Sequence, residues 1–154
     1  MPHFEKSHPV DHSASNMFDL VADIDRYPEF VPLCQKLVTR SVRQKAGREI
    51  RIADMTAGYM AIRETFTCQV VLNRDENEIL VSYIDGPFKY LENKWHFEET
   101  RQNTCNVHFD IDYEFKSIAL SMLMGSMFDQ AFARFTRAFE KRADELYGTS
   151  GEAV

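Results

Sequence analysis

The stretch from Ile118 to Tyr147 reads as one long helix, and its apolar face is the feature that most limits what the chain can fold into. At about 100° per residue, Leu120, Met124, Met127, Phe128, Ala131, Phe132, Phe135, Ala138, Phe139 and Leu146 fall on one broad stripe. Gly148 supplies its stop. Such a stripe needs a large apolar surface opposite it, and the preceding sequence offers one. Between Thr104 and Lys116, Val107, Phe109, Ile111, Tyr113 and Phe115 alternate with Asn106, His108, Asp110, Asp112 and Glu114, as in a strand with one buried face. Tyr90–Thr100 alternates in the same way, with Leu91, Asn93, Trp95 and Phe97 inward. Arg101-Gln102-Asn103 is expected to turn between the two. Pairing Thr100 with Thr104 then sets Trp95 opposite Phe109, Leu91 opposite Tyr113 and Lys94 beside Asp110.

Further strands are predicted at Phe4–Val10, Leu37–Val42, Glu49–Met55, Ala61–Leu72 and Ile79–Ile84. Turn-prone Ala46-Gly47, Ala57-Gly58, Asn73–Asn77 and Asp85-Gly86-Pro87 separate them. Two short helices follow the first strand: Ala14–Ala22 capped by Ser13, and Arg26–Phe30 capped by Asp25, with Pro32 closing the excursion. The expected architecture is α+β, with a curved seven-stranded antiparallel sheet wrapped around the C-terminal helix. One domain is expected over residues 1–148, with 149–154 as a loose tail. A chain of 154 residues buries roughly 70% of its unfolded surface, enough for a core without staples.

Charge and cysteine content narrow the function. Three cysteines without a close pair argue against a disulfide framework, and no basic start followed by an apolar run is present, so a cytoplasmic setting is expected. Ile118–Phe128 falls short of the ~20 residues of a membrane span. The net charge of −6 has the wrong sign for a DNA binder. Within Lys36–Arg51, however, six cations face the single Glu49, a local +5 that leaves −11 for the rest. The histidines show no metal-ligand spacing, because Pro9 lies between His8 and His12, and His96 with His108 lacks a third ligand. No nucleophile, base and orienting group share a recognisable spacing, so neither a catalytic residue nor a cofactor is expected.

Specific words of sequence resemble the coenzyme Q-binding START-domain family. They are Phe18-Asp19-Leu20-Val21-Ala22-Asp23, then Tyr27-Pro28-Glu29-Phe30-Val31-Pro32 with Cys34, then Gly86-Pro87-Phe88, Leu91, Trp95 and Phe97, and finally Phe139, Arg142, Ala143 and Tyr147-Gly148. The similarity runs from about Phe4 to Gly148. The chain departs from the family at Leu33, where many members carry tryptophan, and over Ala53–Tyr59. The resemblance implies a helix-grip fold with an apolar tunnel between sheet and helix. It implies non-catalytic binding of ubiquinone or a related isoprenoid, in support of respiration. Close bacterial relatives in that family are described as toxins acting on the large ribosomal subunit.

With the resemblance in hand, the tunnel is expected to be lined by Phe30, Pro32, Phe66, Cys68, Tyr83, Phe88, Leu91, Trp95, Phe97, Phe109, Tyr113, Met124, Phe128, Phe132 and Phe135. From sequence alone the same aromatics read first as plain core, and it is the resemblance that turns them into a tunnel wall. Met122 and Leu123 fall off the apolar stripe and read either as a rim facing a ligand or membrane or as a contact for the short helices. Lys36, Arg40 and Arg43 lie in the basic segment, which suits a transient inner-membrane surface or ribosomal RNA phosphates. Arg142 lies within the apolar stripe and Glu64 shares a parity with Phe66 and Cys68, so each reads as an ion-pair partner or as a polar contact for a quinone head. Three functions therefore compete: a ubiquinone carrier or chaperone, a toxin that blocks association of the ribosomal subunits, and an aromatase/cyclase using Asn93, Tyr113 or Glu64.

Overall fold

A computed structural model of the chain describes residues 3–59 and 62–148, with backbone alone at 59, 62, 124 and 126–129. Seven strands pair in one antiparallel sheet: β1 (His3–Val10), β2 (Cys34–Lys45), β3 (Arg48–Tyr59), β4 (Ile62–Asn73), β5 (Glu78–Asp85), β6 (Phe88–Arg101) and β7 (Thr104–Phe115). Their spatial order is β1-β7-β6-β5-β4-β3-β2. From β2 to β7 the chain simply folds back and forth. β1 lies at the opposite edge from β2, so the chain must cross the whole sheet between them. Helix α1 (Ala14–Ala22) and a 3₁₀ helix (Ile24–Glu29) make that crossing. The Ser13 hydroxyl caps α1 by accepting from the Asn16 amide at 3.1 Å. Met17, Phe18, Leu20 and Val21 are buried beneath it.

The second short helix begins earlier than expected, and Asp25 does not cap it. The Asp25 carboxylate instead accepts from Thr39 Oγ1 at 2.6 Å, tying the helix to β2. Pro28 denies the turn a donor, and six residues are too few for an α-helix to establish itself. The sheet's register is the expected one. Trp95 pairs with Phe109, Leu91 with Tyr113 and Lys94 with Asp110. A bulge between Glu99 and Arg101 shortens the connecting loop, so that Arg101 faces Thr104 across Gln102 and Asn103. The Lys94 ammonium turns to Glu78 at 3.4 Å, because Asp110 already bonds His3 Nε2 at 3.2 Å. The expected turn at Ala57-Gly58 is absent. β3 continues to Tyr59, and the Gly58 amide donates to Leu33 O at 3.0 Å. The 149–154 tail lies outside the described residues.

Helix α2 (Ile118–Tyr147) starts at Ser117, whose hydroxyl accepts from the Leu120 amide at 3.3 Å, and ends at Gly148. It rests on β7, β1 and α1. Phe132 sets its ring 6.1 Å from Phe4, 6.2 Å from Phe109 and 5.5 Å from Tyr113. Phe139 meets Trp95 at 5.0 Å. The stripe does not stay buried to its end: Leu146 is 54% exposed, beyond the reach of the sheet. Further register shifts, between Cys34 and Lys36, Thr39 and Ser41, Thr67 and Cys68, and Phe88 and Tyr90, curl the sheet toward the helix.

Gly86, at φ 141°, allows the β5–β6 turn to press against β4; a Cβ there would lie 2.6 Å from Phe66 Cβ and 2.9 Å from its Cα. Gly86→Ala is expected to destabilise the fold by about 1–3 kcal/mol, the range for a forced overpacking, read as a lower urea midpoint at unchanged m-value.

Candidate functional site

Because α2 sits over β7 and β1, it leaves the inner face of β2, β3 and β4 without a close partner. Among the larger Leu37, Met55, Phe66 and Val70 there, four positions are small: Cys34 on β2, Ala53 and Ala57 on β3, Cys68 on β4. They are too short to reach the helix, and a cavity of about 120 Å³ remains. An engineered apolar cavity of roughly 150 Å³ takes up benzene, so this one has room for a ring or a branched hydrocarbon end.

Rings form the other side of the cavity. Trp95 and Leu91 stand on β6, Phe109 on β7, and Phe132, Phe135 and Phe139 hang from α2. Phe66 and Val70 of β4 with Ile79 and Val81 of β5 make the floor. Tyr27, Val31, Pro32 and Leu33 close the end between the 3₁₀ helix and β2. Leu33 takes φ 67° to do so, a left-handed conformation that non-glycine residues rarely adopt.

The polar groups in this wall are already used. Asn93 Nδ2 donates to Asp110 O at 2.9 Å, and its Oδ1 accepts from Trp95 Nε1 at 3.0 Å. The Tyr27 hydroxyl donates to Val21 O, and burial pushes its ionisation up. Burial likewise pushes the Cys34 thiol up to about 11 and the Cys68 thiol up to about 12. Neither is a nucleophile near neutral pH. The cavity can therefore take up an apolar group, and among the described residues nothing in it is poised for acid–base chemistry.

Of the residues expected in a tunnel, Pro32, Phe66, Cys68, Leu91, Trp95, Phe109, Phe132 and Phe135 line the cavity. Five others lie off it. Phe88 stacks on Phe115 at 4.7 Å, and Tyr113 packs against Phe88 and Phe132 in the solid core. Phe97 faces Phe18 beneath α1. The Tyr83 hydroxyl accepts from the Phe88 amide at 3.1 Å, and Phe30 lies on the outer side of the loop beneath Arg142. The side chains of Met124 and Phe128 lie outside the described residues. Sequence reading missed Ile24, Tyr27, Leu37, Ala53, Met55 and Ala57. For Ala53 and Ala57 the available signal was their small size at inward strand positions, which periodicity treats as ordinary core.

Among the described residues Asn93 is the one polar candidate in the cavity wall; Arg142 and Glu64 stand outside it. Arg142 bonds Glu29, holding its carboxyl below the usual range, and places its guanidinium 5.1 Å from the Phe30 ring. Glu64 is half-buried and is not part of the cavity wall. Met122 and Leu123 are 79% and 57% exposed, so neither packs under the short helices. In the basic hairpin, Arg40 reaches Asp54 at 3.4 Å, while Arg51 bonds Glu49 at 2.5 Å and Ala22 O at 3.1 Å. Lys36, Arg43, Lys45 and Arg48 are exposed. His96 and His108 stack 5.7 Å apart on the outer face. His3, Asp110 and Asp112 make the one group of metal-ligating type among the described residues, and it stands at the surface.

A family model described as polyketide cyclase / dehydrase and lipid transport matches residues 10–140. The ribosome association toxin RatA of Escherichia coli K12 is 32% identical over 147 residues, which cover 96% of this chain and 90% of that protein. The mitochondrial coenzyme Q-binding protein COQ10 homolog B of Xenopus laevis is 29% identical over 149 residues, 94% of this chain and 59% of that protein. The crystal structure of Zhui aromatase/cyclase from Streptomyces superposes with a TM-score of 0.82 over 99% of both chains at 12% identity, a likeness of fold.

The three thiols are buried, and burial also lifts Cys105, to about 12. At pH 8 the native protein is expected to show no fast-reacting thiol toward a chromogenic disulfide, and all three are expected to react once urea unfolds the chain. A thiol that reacts at once in the native state contradicts this assignment.

Proposed function

The chain belongs to the polyketide cyclase / dehydrase and lipid transport family, with a START-like helix-grip fold, and we propose that it binds ubiquinone or a related isoprenoid lipid without transforming it. In this reading it is a carrier or chaperone that supports respiratory electron transport. The observation that carries the proposal is the cavity under α2, walled by rings and aliphatic side chains whose few polar atoms are occupied by protein partners. An isoprenoid chain needs no hydrogen bond there, and each buried CH₂ contributes about 0.8 kcal/mol. The absence of an ionised acid or base from the described wall supports binding over cyclase chemistry. The name of the Xenopus relative agrees with this reading.

No helix among the described residues is long and apolar enough to cross a membrane. A carrier of this kind would collect its ligand from a membrane surface. The exposed cations of the β2–β3 hairpin, with Val38 and Val42 beside them at 43% and 55% exposure, supply electrostatic attraction and an apolar contact together. Ile118, Met122 and Leu123 at the start of α2 add a second exposed apolar edge.

A second reading rests on the RatA relatives: the same hairpin would then meet phosphates of the large ribosomal subunit. Both readings are open to one set of measurements. An organic extract of the purified protein, examined by mass spectrometry, is expected to yield an isoprenoid quinone; an empty extract together with co-sedimentation on the large subunit favours the toxin reading. Lys36→Glu with Arg43→Glu is expected to abolish sedimentation with anionic vesicles, in a salt-sensitive way, while leaving quinone binding in detergent intact. Retained vesicle binding with lost subunit binding would assign the hairpin to the ribosome.

The cavity itself has a sharper test. Ala53→Leu places its added carbons in vacant space, so its stability should change by about 1 kcal/mol or less. Ligand binding should drop severely. Phe88→Ala, off the cavity, should cost about 3–5 kcal/mol of stability and leave the affinity of the folded fraction unchanged.

A further inference from the structure

On the other side of the loop that closes the cavity lies a groove of about 510 Å³ between the 3₁₀ helix and α2. α2 contributes Arg134, Arg137, Lys141 and Arg142 to it, against the carboxylates of Glu29 and Glu145. Four cations thus face two anions on a chain whose net charge is −6. Arg134, Arg137 and Lys141 recur at three- and four-residue spacing, so they share one helix face. They are exposed, and among the described residues none has a carboxylate within 4 Å. Arg142 is bound to Glu29 through Nη2 and lies 3.9 Å from Glu145 through Nη1, while its Nε is buried without an acceptor. Glu29 therefore satisfies only part of what this site can donate.

The groove and the cavity share a wall. Pro32 lines both, and along α2 the cavity residues Phe135 and Phe139 interleave with the groove residues Arg134, Ala138 and Lys141. A chain leaving the cavity past Pro32 would emerge among these cations. In the cavity wall Asn93 Nδ2, Trp95 Nε1 and the Tyr27 hydroxyl each already donate to a protein acceptor, and among the described residues no cation lines it, so an anionic head finds its partners outside.

We infer that this groove holds the phosphate or diphosphate head of a single-chain amphiphile whose apolar chain occupies the cavity. Arginine forks match phosphate oxygens bidentately, and the anion displaces the Glu29 carboxylate from Arg142. The inference rests on the lipid-binding reading above and extends its ligand class from quinones to isoprenoids with an anionic head.

Trp95, the only tryptophan, lines the cavity and reports its filling by fluorescence. Three probes separate head from tail: geranyl diphosphate, geraniol and inorganic pyrophosphate. Geranyl diphosphate is expected to bind roughly tenfold or more tighter than geraniol, on the scale of one or two charge-assisted hydrogen bonds. That advantage should shrink in about 0.5 M salt and disappear in Arg134→Glu with Arg137→Glu, two exposed positions whose change leaves geraniol binding as it was. Equal affinity for the two geranyl compounds, or an advantage that survives the double substitution, overturns the head-group site and leaves the cavity reading standing. Pyrophosphate that binds as tightly as geranyl diphosphate shows a site for free phosphate and overturns the link to the tail. If neither geranyl compound binds, the cavity reading fails and this inference with it.

Discussion

Two rings of α2, Phe132 and Phe139, decide where the helix lies. Phe132 rests among Phe4, Phe109 and Tyr113, and Phe139 among Tyr27, Phe30 and Trp95. Both sets of partners belong to the β1–β7–β6 side or to the segment that crosses the sheet. The helix is therefore held toward one edge of a sheet that continues past it. Rigid rings in edge-to-face contact have little freedom to slide, and the interior is packed too tightly for the helix to drift toward β3. The unfilled space under β2–β4 follows directly from that placement.

The same placement governs the chain between α1 and β2. It has to pass under the C-terminal half of α2 on its way to the far edge, and it is fastened on both sides. Tyr27 donates to Val21 O, Asp25 accepts from Thr39, and Glu29 bonds Arg142. Leu33 turns with a positive φ so that Cys34 can enter β2 facing inward. A short segment thus separates an apolar interior from a cationic groove. Its inner side faces a largely apolar wall, and its outer side faces four cations of α2 beside Phe30, Pro32 and Ala138. This arrangement is amphipathic across a single loop, which is what a ligand with two unlike ends requires.

Much of the architecture was legible in the sequence because it rests on local periodicity. Alternation in Tyr90–Thr100 and Thr104–Lys116 carried the register of β6 with β7, since the pairing Trp95–Phe109 follows once one turn is placed. The positions of α1 and α2 followed from Ser13, from the apolar stripe and from Gly148. Errors occurred where local signals compete. Ala57-Gly58 looks like a turn, yet the Gly58 amide is claimed by Leu33 and the strand continues. Asp25 looks like a cap, yet Thr39 offers it a better partner from a distant strand.

The site was only half legible. Large aromatics announce themselves, but whether a ring faces a cavity or another ring depends on what stands opposite. Phe88 and Trp95 share a strand and a buried face; Phe88 meets Phe66, Tyr83 and Phe115, whereas Trp95 looks across at Ala53, Ala57 and Cys68 through open space. By itself the sequence determined the element order, the inward face of each long strand and the need for one wide helix–sheet interface, because these follow from side-chain spacing along a regular backbone. The tertiary structure alone decided which part of that interface stays unfilled and which charges of α2 gather beside it. Both depend on the lateral position of the helix over the sheet, a distance between elements far apart in the chain that no local pattern encodes.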